Sequence, residues 1–302
     1  MTLTRRLSAA VAAVCLGLTL AACGGGTTSA STELCAEGKI RFGIEPYEDP
    51  QRLKPAYEIV GAAMEKALKC KVEMTVVEDY AAEVLAMKNK KLDVAQFGPL
   101  GYVFAHEKAG AEIVGTFADA QGKPSTYTAG IWVPKTSSVK TVADLKGKSL
   151  ALGSPTSASG TMFPKAALRT AGLQDQDVKI DYSGHSEALL ALTNGKVEAA
   201  EINSQTLLTA KESGKFDPAN FKQIWTSDPI PNDPVTVRST LDPKAKDAIR
   251  KALLELSKDD VAKVSKLLGV VPSGGMVAVE KSHYQPMFDL AKTLGLTEKD
   301  AK

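Results

Sequence analysis

The sequence predicts an α/β protein of two lobes with a ligand cleft between them, each lobe a mainly parallel sheet flanked by helices. Three observations carry that prediction. From Lys39 onward, short apolar runs alternate with stretches of helical period, the pattern of strands joined by crossover helices. A second series of the same kind starts at Ser149. About 270 residues remain once the first 22 and a polar stretch are set aside, more than the ~100–200 of an ordinary single domain.

In chain order, residues 1–22 read as a targeting segment. Arg5 and Arg6 form a basic start, residues 7–20 are apolar but too short to span comfortably as a permanent helix, and small residues precede Cys23. The LAAC of residues 20–23 resembles the lipobox of bacterial lipoproteins. That resemblance implies cleavage before Cys23, a diacylglycerol on its sulfur, and an anchor outside the cytoplasmic membrane. A plain secretory signal cut nearby is the other reading. Residues 23–33, rich in Gly, Ser and Thr, form a flexible tether. No later apolar run is long enough to span a bilayer, so contact with the membrane is expected through the lipid alone.

Residues 39–44 read as a strand and 53–68 as a helix with Tyr57, Val60, Ala63, Met64 and Ala67 on one apolar face. Strands over 72–77 and 93–97 then alternate with helices over 81–88 and 101–109, and strands follow over 113–117 and 127–133. The first lobe accordingly begins with 34–131. The second, 132–228, is built from strands over 149–152, 178–181, 199–202 and 221–225, with helices over 161–171, 186–194 and 205–213. The proline-punctuated SDPIPNDPVTVRS of residues 227–239 reads as a crossover back, and 229–302 complete the first lobe with helices over 243–256, 259–268 and 284–294. Two crossings place a cleft between the lobes, lined by strand ends and helix starts.

Four cysteines sort by position. Cys15 leaves with the targeting segment and Cys23 takes the lipid, which leaves Cys35 and Cys70 in an oxidising compartment. A disulfide between them would close a loop worth roughly 4 kcal/mol on the chain-entropy estimate; two free thiols are the alternative. Charge excludes a further class. Removing residues 1–22 takes two of the 37 basic residues and none of the 35 acidic ones, leaving 35 of each. A nucleic-acid partner would call for a basic surplus, and none is expected here.

The stretch ALGSPTSASG at 151–160 sits where a buried strand turns into a helix. Ser157, Ser159 and Thr161 offer hydroxyl donors, Gly160 lets the backbone come close, and the first free N–H groups of a helix carry roughly +0.5 charge. No Lys or Arg lies between Ser149 and Met162, so an anion here would be held by dipoles. The same residues also suit a plain N-capped helix after a polar loop.

Four spaced segments decide between these: FGPLGY at 97–102, SPTSASG at 154–160, SGHSEALLALTNGKVEAA at 183–200 and IWTSDPIPNDPVTVR at 224–238. In this order the chain resembles the phosphonate and phosphite substrate-binding proteins of bacterial ABC importers, which have the type II periplasmic-binding-protein fold. The resemblance runs from about Ile40 to Leu256. It implies capture of a small phosphorus oxyanion (phosphonate, phosphite or phosphate) and delivery to an ABC permease with its ATPase, by a protein expected to be a monomer. It puts Ser157, Ser159 and the Gly160 backbone on the oxyanion turn and His185 on the family histidine. Tyr80, Phe97 with the adjoining Gly98, and Tyr127 fall where aromatic side chains and backbone reach the ligand. The middle threonine of the turn is Ala158 here, which keeps only a backbone N–H. Where aminoalkylphosphonate-binding relatives have an acid that works with Asp233 on the ligand's amine, this chain has Gln205, so half of that cation site is gone.

Each position has a plainer use. His185 at a helix start could cap its own helix, Asp233 could simply form the turn between Asn232 and Pro234, Gln205 could cap its helix, and Tyr47, in the loop after the first strand, could pack locally instead of closing over ligand. In the cleft, Asp233 would accept from an amine or a P–OH proton, and a bound dianion would favour protonated His185. His106 and His283 read as incidental. An enzyme is not expected: Ser157 with His185 is the one tempting pair, no third acid has a recognisable motif, and no Cys/His spacing suits a metal. No cofactor is expected. A tethered sensor for a membrane kinase, or a binder of another oxyanion such as a sulfonate, are the alternative functions.

Overall fold

The structure is a computed structural model that describes residues 35, 38–270 and 273–297; the targeting segment, Cys23 and the whole tether lie outside the described residues. The first lobe opens with β1 (Lys39–Ile44), α1 (Pro50–Leu68), β2 (Lys71–Val76), α2 (Tyr80–Lys88), β3 (Val94–Gln96), α3 (Pro99–Ala109) and β4 (Ala111–Ala118). After β5 (Thr126–Tyr127) the chain enters the second lobe: β6 (Gly130–Pro134), β7 (Ser149–Leu152), a π-helical turn (Ala158–Met162), α4 (Phe163–Thr170), β8 (Lys179–Tyr182), α5 (His185–Thr193), β9 (Ala199–Glu201), α6 (Ser204–Glu212) and β10 (Phe221–Thr226). It returns through β11 (Ile230–Pro231) to β12 (Val235–Arg238), α7 (Pro243–Leu254), α8 (Lys258–Leu268), β13 (Gly275–Val277) and α9 (Gln285–Thr293).

Local chemistry sets the element ends. Asp49 accepts the Gln51 N–H at the start of α1 and Pro50 takes the first helical position, while Lys69, at φ 57°, closes the helix in the left-handed region. The apolar face of α1, including Leu53, Tyr57, Val60 and Met64, packs with Phe42 and Ile44 of β1 in one core.

The first sheet runs β13-β4-β12-β3-β1-β2 and the second β10-β6-β9-β7-β8. Pairing of β1 with β2 and β3, and of β7 with β8 and β9, is parallel. In each described sheet four strands point one way and the rest run against them, so both are mainly parallel in direction, and this is the fold class expected.

Several elements differ from the sequence reading. Residues 235–238, read as part of a crossover, form β12 in mid-sheet, antiparallel to both β3 and β4. Prolines argue against a central strand, but Pro234 stands just before the first residue, where its missing N–H costs the ladder nothing. The single strand expected over 127–133 is two: β5 pairs with β11, so the two crossings lie side by side as a small antiparallel ladder, Tyr127 opposite Ile230. The short β13 at the sheet edge had no sequence signal.

The lobes are in contact. Glu48, just before α1, accepts from Ser186 Oγ at 3.2 Å and Thr209 Oγ1 at 2.9 Å, both on the second lobe. Arg52 donates to the Thr209 carbonyl at 3.4 Å, and Lys215 stands 3.6 Å from Asp49. On the other side, Ala158 and Met162 of the π-helical turn pack into the apolar cluster of Phe97, Leu100, Tyr102 and Phe104.

Cys35 and Cys70 are joined by a disulfide across 35 residues, tying the start of β1 to the end of α1. Replacing both with serine is expected to lower unfolding free energy by roughly 2–5 kcal/mol, read as a lower urea midpoint; an unchanged midpoint would show that the bond contributes nothing.

Candidate functional site

Where β7 ends, Gly153 and Gly160 bring two backbone segments together: a Cβ on either would stand 2.8 Å from the other's Cα, and one on Gly153 would also meet the His185 ring at 3.1 Å. The turn is closed by the Gly153 N–H on the Gly160 carbonyl at 3.0 Å. Ser157 caps it, its Oγ accepting from the Gly160 N–H at 3.0 Å. Thr161 is spent inside the turn, donating to the Ser154 carbonyl at 2.9 Å, so the expectation of a third ligand-facing hydroxyl is corrected.

Behind the turn stands a buried chain of side chains. His185, the first residue of α5, has Nε2 3.2 Å from Ser157 Oγ and Nδ1 2.9 Å from Oε2 of Glu201, which is fully buried at the end of β9. Burial works against the imidazolium, but the Glu201 carboxylate outweighs it and holds His185 above its ordinary 6.5. Burial pushes Glu201 up as well, against the pull of His185. The two directions agree: the pair keeps two protons to higher pH. In that two-proton state, whether imidazolium with carboxylate or imidazole with carboxylic acid, one proton lies between Nδ1 and Oε2 and the other sits on Nε2. Ser157 Oγ then accepts from both Gly160 and His185, and its own hydrogen is left to point elsewhere.

The opposite wall comes from the first lobe and the crossings. Tyr80, at the start of α2, interacts with the Ser157 side chain, and Tyr127 of β5 with Ser159. Burial keeps both phenols protonated by raising them well above 10.0. Asp233, before β12, accepts a 2.7 Å bond from Gln96 Nε2, and burial pushes it up to about 7 against the pull of His185 and Gln96. Its backbone is pinned by the Thr116 hydroxyl on its carbonyl at 2.8 Å.

These groups enclose a cavity with about 10 Å³ open to the centre of a water-sized sphere, room for roughly one such sphere. Tyr47, Tyr80, Gly98, Tyr127, Ser157, Ala158, Ser159, His185, Gln205 and Asp233 all line it, joined by Glu45, Pro99 and Asn203. No lysine or arginine is among the described residues that do. Gln205 faces the cavity and also donates to Asn232 at 3.4 Å, while Asn203 caps α6. Gly160 lies behind the wall and acts on it through Ser157. Phe97 requires correction: its ring is wholly buried with Leu100 and Tyr102, and the next residue, Gly98, reaches the cavity in its place. Phe97 lies between the end of β3 and the start of α3, and its ring packs into the first-lobe core while the Gly98 backbone faces the cavity.

Glu45, Gln96, Glu201 and Asn203 were not singled out from the sequence. A signal existed for two of them. Glu201 ends the otherwise apolar buried β9 and Glu45 directly follows the buried FGI end of β1, places where an acid needs a partner or a proton.

With this geometry in place, comparison with known proteins is decisive. The profile of one family, described as "ABC transporter, phosphonate, periplasmic substrate-binding protein", matches residues 42–284. The chain belongs to this family. It is 31% identical over 243 residues to the phosphonates-binding periplasmic protein of Escherichia coli, covering 78% of this chain and 72% of that one. It is 29% identical over 257 residues to the phosphate-import protein PhnD of Mycolicibacterium smegmatis, covering 80% and 79%. In fold it is similar to PhnD1 of Prochlorococcus marinus in complex with methylphosphonate, with TM-score 0.76 and 17% identity over 86% of this chain and 99% of that one.

Members of this family are extracytoplasmic components of ABC transporters that work with a permease and are not enzymes. The Ser157–His185–Glu201 connectivity looks like a hydrolase triad, but in the two-proton state of the pair Nε2 carries a hydrogen and is no base for serine. Among the described residues no helix is long and apolar enough to cross a membrane.

Because its folded pKa is raised, His185 contributes stability that is complete below 6.5 and lost as pH rises through the folded value. NMR titration of the His185 ring should give a pKa above 6.5 in the native chain and below it in Glu201→Gln, where burial is no longer opposed. A native value at or below 6.5 would exclude the proton arrangement described.

Proposed function

We propose that this protein is the lipid-anchored, monomeric substrate-binding component of an ABC importer and that it captures a small phosphorus oxyanion in the cleft between its lobes. The supporting observation is a cavity whose walls bring hydroxyls, amides and one histidine from both lobes together, with no lysine or arginine among the described residues that line it. Desolvating an anion costs many kcal/mol unless each oxygen gains donors. Ser157, Ser159, the Ala158 backbone, His185, Tyr80 and Tyr127 serve as those donors, and Gln205 and Asp233 contact the remaining substituent. Asp233, with its pKa near 7, takes the proton of a P–OH group. Since donors from both lobes meet in the closed arrangement, ligand draws the lobes together about the paired crossings.

The lining favours a ligand without a cationic tail. Phosphite, inorganic phosphate and methylphosphonate add at most one heavy atom beyond the tetrahedral centre and its oxygens. Gln205, on the cavity wall, offers the ammonium of an aminoethyl chain no charge.

Calorimetry against phosphite, inorganic phosphate, methylphosphonate and 2-aminoethylphosphonate tests this directly. The last is expected to bind at least about tenfold more weakly than the best of the others, a difference of ~1.4 kcal/mol. Ser157→Ala combined with Ser159→Ala should weaken the best ligand by at least ~2 kcal/mol, since hydrogen bonds to a charged group are worth roughly 1.5–3 kcal/mol each. An unchanged dissociation constant would remove the turn from the site. Anchoring through Cys23 predicts that the chain made in a bacterial host enters the detergent phase on phase partitioning and that Cys23→Ser stays aqueous; equal partitioning of both would rule the lipid out.

A further inference from the structure

Glu45 is the one cavity acid to which the oxyanion reading gives no role. It follows β1, is fully buried, and lines the cavity with Tyr80, Gly98 and Asp233. Its Oε2 accepts a 2.7 Å bond from the backbone N–H of Gly98, at the start of α3, and its Oε1 has no partner. Room has been made for both oxygens: a Cβ on Gly98 would stand 2.5 Å from Oε2, and one on Gly101 2.6 Å from Oε1. These are the two glycines of FGPLGY. The beginning of α3, expected from the sequence to lend its N–H groups to a ligand, is therefore taken by a carboxyl group of the chain itself.

The surroundings favour a neutral group. Glu83 of α2 faces Glu45 with both carboxyl oxygens buried and without a partner, and Asp233 approaches from the crossing. His185, across the cavity, is engaged with Glu201. Burial, then Glu83 and Asp233, push Glu45 well above the carboxylate range, and the Gly98 bond opposes them. An ionised Glu45 would also repel any anion bound beside it.

We propose, resting on the oxyanion reading above, that Glu45 is a ligand-binding residue that works as a neutral carboxylic acid, its Oε2 fixed by the Gly98 amide and its Oε1 hydroxyl donating to an oxygen of the anion. No proton is transferred: the acid supplies one hydrogen bond to an acceptor oxygen, as a buried protonated carboxyl can do near neutral pH. Glu45 and Asp233 then read different oxygens of one ligand, the first an unprotonated oxygen and the second a P–OH. Raising the pH until Glu45 ionises replaces a donor with a repelling charge, and binding weakens.

Two variants separate the donor from mere filling of space. Glu45→Gln keeps an oxygen for Gly98 and offers an amide N–H that cannot ionise, whereas Glu45→Leu fills similar volume with neither. By calorimetry against whichever of phosphate, phosphite or methylphosphonate the native chain binds best, Glu45→Gln should stay within about threefold of native near neutral pH, and Glu45→Leu should lose at least ~10-fold, the size of one hydrogen bond to an anion. At rising pH the native chain should fall behind Glu45→Gln, a comparison in which titration of the ligand and of His185 cancels. Infrared difference spectra, bound minus free, should show a shifted C=O band of a protonated carboxyl in the native chain that is missing in Glu45→Gln. Native affinity in Glu45→Leu, or the same band shift in Glu45→Gln, overturns the proposal. If Glu45→Leu fails to fold, the glutamine variant and its spectrum decide alone. Failure of the native chain to bind any of these anions refutes the oxyanion reading itself and takes this proposal with it.

Discussion

On the proposed reading, a charged guest met by no lysine or arginine among the described lining residues is the constraint on which the rest of this architecture depends. Solvation must then be replaced oxygen by oxygen, and the replacing groups have to be in place beforehand, because each unmade bond to a buried charge costs more than a made one contributes. The short turn between β7 and α4 answers that demand. Two glycines let its backbone fold on itself, Ser157 is held from both sides by the Gly160 N–H and the His185 ring, and its hydrogen is thereby turned outward. Orientation comes from saturation of the serine's lone pairs, not from any strongly attractive charge.

Histidine provides the one donor on the wall that can carry a positive charge, and its setting explains why it is buried. Glu201 behind it bonds Nδ1 and favours the protonated ring, in which Nε2 also carries a hydrogen. A lysine in the same place would bring a stronger charge but no such fixed direction, since its ammonium rotates at the end of a flexible stem. A ring clamped between a strand-end acid and a serine gives geometry first. In a protein that must also let go of its ligand at a permease, donors that are neutral or shared provide selectivity without the very tight grip that a cluster of full charges would impose.

Acids beside an anion site look paradoxical until their protons are counted. Asp233 is pushed up to about 7, and Glu45 and Glu83 are raised by burial and by one another. Low dielectric opposes three adjacent carboxylates, and protons kept on Glu45 and Glu83 turn those two into donors while Asp233 is left to accept. The first-lobe wall thus acquires its chemistry from mutual exclusion of charge. The interlobe bonds of Glu48 lie at the rim, where a carboxylate can remain solvated and bridge two hydroxyls of the opposite lobe.

Much of this was legible in the residues themselves. Alternating periods revealed two α/β series, because helices and strands repeat their apolar positions at 3.6 and 2 residues irrespective of context. The spacing of SPTSASG after a strand marked the turn, and the later GHS marked His185 at a helix start, since both motifs are local. Long-range pairing decided the remainder. Val235–Arg238 became a central strand because a gap between β3 and β4 needed filling, which no window of four residues can announce. Phe97 turned into the core and Gly98 toward the cavity because the path of the β3-to-α3 connection, not residue type, chooses what each one faces. Glu45 met Gly98 across 53 residues and His185 met Glu201 across 16. The sequence by itself determined which groups could bind an anion; tertiary structure alone decided which carry protons, since that depends on the burial and the neighbours that only folding brings together.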